Sequence, residues 1–228
     1  MLSATERTNH HLRLALDYQT RAGAPDTLFC KLPPTDPAHR ARIGADGMGA
    51  REVHVYNEVA PSLAMRVPTC HFAALGVDGG FVMLLEDLEA QGSRISDGSW
   101  AIPGRLAFDA VADLAELHVR HADAGRLAAV APWARSPRRP VPAFVLDTLR
   151  RVIEEHRERL SDAYVGVGRL FLEHAEKIED AWAAGSPTLI HGDAHVGNLF
   201  LDGDRVGFLD WGMAKIGPPM RDLGFFLT

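Results

Sequence analysis

Residues 11–19, His-Leu-Arg-Leu-Ala-Leu-Asp-Tyr-Gln, largely alternate apolar and polar positions, the period of a half-buried strand. A second strand-like run, Asp26 to Leu32, lies between Pro25 and Pro33, and the two read as antiparallel neighbours joined through Arg21-Ala22-Gly23-Ala24-Pro25. A polar loop rich in Gly, Pro and Asp follows. Residues 49–60 then place Glu52, Val55, Tyr56 and Val59 at offsets of three, four and seven, one face of a helix that Pro61 stops. Two further strand-like runs, Thr69 to Leu75 and Phe81 to Leu85, lead into Glu86-Asp87-Leu88, where the pattern changes.

From there the periodicity is mainly helical, with helices near 103–122, 143–160 and 162–184. The Pro-rich stretch 133–140 separates the first from the second. Short apolar runs at Thr188–Ile190, Asn198–Leu201 and Val206–Leu209 come last, with a turn at Asp202-Gly203-Asp204 before the third. Strands first and helices later argue for an α+β protein of two lobes. The change of pattern sets their boundary: residues 1–88 for a lobe of small antiparallel sheet and 89–228 for a larger, mainly helical one.

Composition narrows the function classes. A formal charge of −6 provides no general basic field, so nucleic acid is excluded as an expected partner. Cys30 and Cys70 sit in apolar runs without metal or disulfide spacing, which fits a reducing cytoplasm. No apolar run approaches the roughly 20 residues that cross a bilayer, and the N-terminus lacks a leader pattern, so a soluble cytoplasmic protein with no membrane partner is expected. Only three of the 24 Lys and Arg residues are lysines, and one of them, Lys31, stands inside an apolar strand.

The chemistry concentrates near the end. His191-Gly192-Asp193-Ala194-His195-Val196-Gly197-Asn198 is followed by Asp210-Trp211-Gly212. Asp193, on a loop after an apolar run, can accept the proton of a substrate hydroxyl. Asn198 and Asp210 offer a neutral and a charged oxygen ligand for magnesium, the set that phosphoryl transfer from ATP requires. A different reading takes His191, Asp193 and His195, alternate residues of an extended segment, as ligands of a zinc or di-metal hydrolase centre.

The segment His191–Asn198 resembles the catalytic loop of the aminoglycoside phosphotransferase and choline kinase superfamily, and Asp210-Trp211-Gly212 resembles its metal-binding segment. Leu114-Ala115-Glu116-Leu117-His118 resembles the helix these kinases place beneath the active site. Phe81 to Leu88 is similar to the strand entering the hinge, above all in the ecdysteroid-kinase-like branch. The resemblance implies a protein-kinase-like two-lobed fold and an ATP- and magnesium-dependent kinase acting on a hydroxyl of a small molecule. It makes Asp193 the catalytic residue, Asn198 and Asp210 the Mg2+ ligands, and Lys31 the contact to the α- and β-phosphates, with Glu52 as its carboxylate partner. Glu86 and Leu88 are implied in adenine recognition through their backbone groups. His191 supports the loop and His195 shapes the site.

The match departs from the family pattern at both ends. Met1-Leu2-Ser3-Ala4-Thr5 looks like the tail of the phosphate-covering turn, with no room for a strand before it, and Thr228 stops inside a helix that these enzymes usually continue beyond. A chain truncated at both ends is therefore expected, with self-association through exposed edges. A shortened, inactive nucleotide binder is the alternative to an active kinase.

Overall fold

In the computed structural model the described residues are 3–6, 8–77, 79–123, 125, 127, 129, 131–135 and 140–227. They fall into two compact units, Met1–Arg135 with Pro187–Thr228, and Ser136–Ser186. The secondary structure is the α+β mixture expected from the pattern.

A five-stranded sheet occupies the first part of the larger unit. Its strands are β1 (Ser3–Glu6), β2 (His10–Ala15), β3 (Thr27–Leu32), β4 (Cys70–Leu75) and β5 (Phe81–Glu86), in the order β1-β2-β3-β5-β4. All pairs are antiparallel, and the register sets His11 opposite Lys31, Lys31 opposite Met83 and Phe29 opposite Leu85. Directly opposed side chains leave a sheet on the same side, so Phe29, Lys31, Met83 and Leu85 share a face.

Three expectations are corrected here. Ser3–Glu6 is not the tail of a turn; its backbone pairs with Arg13 to His10 and forms the sheet edge. Four residues are too few to show alternation, and an edge strand needs only main-chain partners. The stretch expected as a polar loop contains a helix, α1 (Pro37–Asp46). Asp36 caps it by accepting from His39 N at 2.7 Å, Pro37 sits in its first turn, and Gly47 ends it with φ 69°. Only Ile43 of α1 is buried, so no apolar stripe announced it.

The third correction concerns residues 49–60. Regular α2 covers Met48–His54, and Val55–Val59 is a π turn. The wider turn brings Val55, Tyr56 and Val59 into the core together while Asn57 and Glu58 stay exposed.

The remaining elements of this unit hold the chemistry. They are β6 (Arg94–Ile95), α3 (Gly104–Arg120), β7 (Thr188–Ile190), β8 (Leu199–Asp202), β9 (Arg205–Phe208) and β10 (Lys215–Gly217). Strands β6, β8 and β9 form one small sheet, and β7 pairs with β10. Leu106, Ala110, Leu114 and Leu117 recur every three or four residues on α3 and join a single core with Val53, Val55, Met83, Leu85, Leu189, Leu199, Phe208 and Trp211. Each such side chain contributes about 1.5–3 kcal/mol by leaving water, which fixes β7 to β9 against the Lys31 face of the sheet. The smaller unit is a pair of helices, α4 (Ala143–Glu155) and α5 (Asp162–Ala183). Among the described residues no helix is long and apolar enough to cross a membrane.

Candidate active site

Buried β7 ends at His191, and the turn that follows is shaped by glycine and held by one carboxylate. Gly192 has φ 83°, and a Cβ there would lie 2.2 Å from Met213 O, so only glycine fits. Asp222, fully buried at the start of α6 (Met220–Phe226), accepts from His191 N at 2.8 Å and Gly192 N at 2.7 Å, and pairs with His118 Nε2 at 2.9 Å. His118 is fixed in turn, because Thr188 Oγ1 donates to its carbonyl at 2.6 Å.

His191 joins two segments. Its ring lies 4.4 Å from Trp211 and 5.9 Å from Phe208. Burial lowers its pKa, so the ring is neutral; Nε2 donates to Leu209 O at 3.1 Å and Nδ1 accepts from Asp193 N at 3.3 Å. Both ring nitrogens are therefore engaged by backbone. A hydrolase centre using His191 as a ligand does not fit this arrangement, and among the described residues no three His, Cys, Asp or Glu side chains are grouped to hold a metal.

Asp193, Asn198 and Asp210 come together around this histidine. Asn198 Nδ2 donates to both the carbonyl and Oδ2 of Asp193 at 2.9 Å, and Leu209 N donates to Asn198 O at 3.0 Å. Asn198 immediately precedes β8 and Asp210 follows β9 with only Leu209 between, so the two stand at the same end of one hairpin. Asp210 adopts φ 62°, the one positive φ among the described non-glycine residues. His195 Nδ1 accepts from Gly197 N at 3.0 Å, and its Nε2 lies 3.6 Å from Asp193 Oδ2.

Lys31 crosses from the sheet to this cluster. Its Nζ donates to Glu52 Oε2 at 2.6 Å and to Asp210 Oδ1 at 2.9 Å. Burial would strip its proton, but the two carboxylates outweigh burial and push its pKa up, so it is charged. One ammonium cannot neutralise two acids. Burial pushes Glu52 up to about 7 against the pull of Lys31, whereas Asp210 stays below the usual carboxylate range because Lys31 outweighs its own desolvation. Glu52 is 2% exposed and Asp210 is 42% exposed at the side chain. Helix α2 is tied to the same turn, since Arg51 Nε donates to Gly212 O at 2.8 Å and the Trp211 backbone N–H bonds Glu52.

Glu86 ends β5 of the same sheet, and Leu88 lies in the turn just after it. Arg66 holds the Glu86 carboxylate at 2.9 Å and 2.6 Å, with Thr69 N at 2.9 Å, and the Glu86 N–H donates to Thr69 O at 2.8 Å. The Leu88 carbonyl accepts from Ser93 N at 2.9 Å. Asp87, 2% exposed at the side chain, pairs with Arg13 Nε at 2.8 Å, and Arg13 also reaches Glu89.

Sequence reasoning missed Asp222, Arg66 and Arg51. Asp222 carried a signal, a lone acid beside the apolar run Leu223-Gly224-Phe225-Phe226. Arg51 and Arg66 carried none, since 20 or more positions separate them from the site segments they hold.

Several solved structures share the fold. An aminoglycoside 2'-phosphotransferase IIIa bound to GDP is 16% identical, with 87% of this chain and 64% of that one covered at a TM-score of 0.52. A GDP and kanamycin complex of a 2''-phosphotransferase is 17% identical, with 94% and 71% covered and a TM-score of 0.52. A Ralstonia eutropha protein provisionally assigned as an aminoglycoside phosphotransferase is 17% identical, with 99% and 63% covered and a TM-score of 0.54. The chain thus spans under two thirds of two of these structures. An uncharacterized Bacillus subtilis protein, YcbJ, is 33% identical over 85 residues, 33% of this chain and 28% of its own. These neighbours carry the kinase-like fold of aminoglycoside phosphotransferases, and the description "Phosphotransferase enzyme family" matches residues 10–228; the chain belongs to that family.

Proposed function

We propose that this chain is an ATP- and Mg2+-dependent phosphotransferase that phosphorylates a hydroxyl group of a small molecule in the cytoplasm. One observation carries the reading: Lys31 from the sheet, Asn198 and Asp210 from one end of a hairpin and Asp193 from a loop are linked by hydrogen bonds, with His191 bonding the loop at Asp193 and the hairpin at Leu209. Within the family, the resemblance of Phe81 to Leu88 supports the ecdysteroid-kinase-like branch, with Leu88 taken as the boundary of the N-terminal lobe.

The donor set fits magnesium. Asp210 is an ionised, part-exposed carboxylate with one oxygen on Lys31, and Asn198, its amide hydrogens on Asp193, has a side-chain carbonyl left to offer. Both are hard oxygens, and magnesium typically takes one or two protein ligands beside substrate phosphates. When bound, the ion neutralises charge building on the transferred phosphoryl group.

Each residue then has a task. Lys31, charged and held by Glu52, fixes the phosphates of the nucleotide. Asp193, 33% exposed and oriented by Asn198, accepts the acceptor hydroxyl's proton as its oxygen attacks phosphorus. The backbone at Glu86 and Leu88 contacts adenine. His191 keeps the two loops in register, and His195 borders the acceptor side. Positioning and charge stabilisation supply most of the acceleration, as in other phosphoryl transfers.

The test is ADP release from ATP and magnesium across an alcohol library, beside a calorimetric titration of Mg·ATP. Turnover that disappears in Asp193→Ala supports the reading. Binding without transfer to any acceptor would leave an inactive nucleotide binder, and no binding at all would sink both.

A further inference from the structure

Arg66 lies outside every motif, yet it touches several elements at once. Its Nη1 and Nη2 clamp the Glu86 carboxylate at 2.9 Å and 2.6 Å, its Nε donates to Asp202 Oδ2 at 2.7 Å, and its guanidinium sits 5.1 Å over the Phe200 ring. Its main chain is engaged as well. Phe208 N donates to Arg66 O at 2.9 Å, and Arg66 bridges Gly207 in parallel sense. One residue therefore holds the last residue of β5 and both strands of the β8–β9 hairpin.

The hairpin is a rigid lever. Leu199 pairs with Phe208 and Asp202 with Arg205; Leu209 N closes the proximal end on Asn198 O at 3.0 Å, with Asp210 the next residue along the chain, and Asp202 stands at the distal end. Gly207 leaves room for the Phe200 ring: a Cβ there would lie 2.2 Å from that ring, whose face Arg66 covers. Any tilt at the distal end must move the two oxygen ligands at the proximal end together. The opposite anchor is equally firm, since Glu86 is 5% exposed at the side chain and has Arg66 and Thr69 as donors.

We infer that Arg66 is a positioning residue, which through Glu86 and Asp202 couples the nucleotide edge of the sheet to the hairpin that carries Asn198 and Asp210. The planar fork is what this needs, because two carboxylates on different elements are met by separate edges of one guanidinium. A lysine could neutralise Glu86 but could not reach both. The inference deepens the phosphotransferase reading and rests on it for the identity of the ligands, though the mechanical link itself does not.

The experiment uses Asp202→Asn, Arg66→Lys and Arg66→Met in the full chain, with three readouts: melting temperature, amide exchange at Phe208 to Asp210, and the magnesium dependence of ATP turnover. Asp202 is 44% exposed at the side chain, so Asp202→Asn should fold with a near-native melting temperature. Its exchange at Phe208 to Asp210 should rise roughly tenfold by easier local opening, and half-saturation by magnesium should need several times more metal at unchanged acceptor KM. Arg66→Lys should match Asp202→Asn, and Arg66→Met should be worse in all three. Should both conservative variants keep native exchange and native magnesium dependence, with melting temperature alone affected, Arg66 is a stability residue and the inference is overturned. If the unmutated chain binds no Mg·ATP, the phosphotransferase reading fails while the exchange result still decides the coupling.

Discussion

Lys31 and Asp210 meet at 2.9 Å across 179 residues of sequence, the contact that ties the strand sheet to the late hairpin. With Glu52 on its other side, Lys31 is 6% exposed at the side chain and wholly dependent on two carboxylates. Removing it should be more costly than removing either acid.

Lys31→Met leaves Glu52 buried beside Asp210 with no cation. Unfolding in urea should show a loss of about 3–5 kcal/mol at pH 8. The sign of its pH dependence follows from Glu52, whose folded pKa already stands above its ordinary 4.5, at about 7. A raised folded pKa contributes stability that is present below the unfolded value and lost as pH rises through the folded one. The variant should therefore regain stability on going from pH 8 to 6, and a loss in that direction would contradict the assignment.

Asp193→Asn keeps the backbone carbonyl that Asn198 grips at 2.9 Å, so the loop should stay in place. On the proposed mechanism, proton acceptance is what disappears. Turnover should fall by about 10²–10⁴ while calorimetric Mg·ATP affinity holds steady. An equal drop in affinity would mean that Asp193 shapes the nucleotide site instead.

Asp222→Ala removes the acceptor for two buried N–H groups and for His118. The expected cost is about 3–5 kcal/mol of folding free energy, read from urea titrations followed by circular dichroism. A shift below 1 kcal/mol would show that the His191–Gly192 turn holds itself.

Gly192→Ala forces a left-handed residue with a Cβ 2.2 Å from Met213 O. Strain of about 1–3 kcal/mol is expected, together with displacement of the turn that bears Asp193. Melting temperature and turnover should both fall, whereas alanine at Gly166, where a Cβ meets nothing within 4 Å, should be tolerated.

Glu86 gives the acid side of the stability profile. Burial favours its proton, but Arg66 and the Thr69 amide outweigh burial and hold its pKa below 4.5. A depressed folded pKa contributes stability that is present above the unfolded value and lost as pH falls through the folded one. Unfolding free energy should thus drop as pH goes below about 4.5, and Glu86→Gln should flatten that drop. Identical acid profiles for the two proteins would exclude this pair as the cause.

The legible parts of this chain were those with local periodicity or a compact motif. Strand β3 and α3 showed in the spacing of apolar residues, and Asp193, Asn198 and Asp210 stood out because the donors that phosphoryl transfer needs fall within one short stretch of sequence. Helix α1 was hidden because its stripe is nearly absent, although Asp36, Pro37 and Gly47 marked its ends. The π turn at Val55–Val59 was hidden for another reason: a change of turn width alters the offsets by one residue, which a 3.6-residue pattern absorbs unnoticed.

By itself, then, the sequence determined the α+β order of elements, the apolar faces and the set of chemically able side chains, because those follow from short-range periodicity and residue type. Tertiary structure alone decided that Asp210 joins Glu52 on Lys31, that Asp222 clamps the turn at Gly192, and that Arg66 spans Glu86 and Asp202. Such pairings depend on how burial brings distant backbone together, and a side chain's charge carries no record of the partner it will meet.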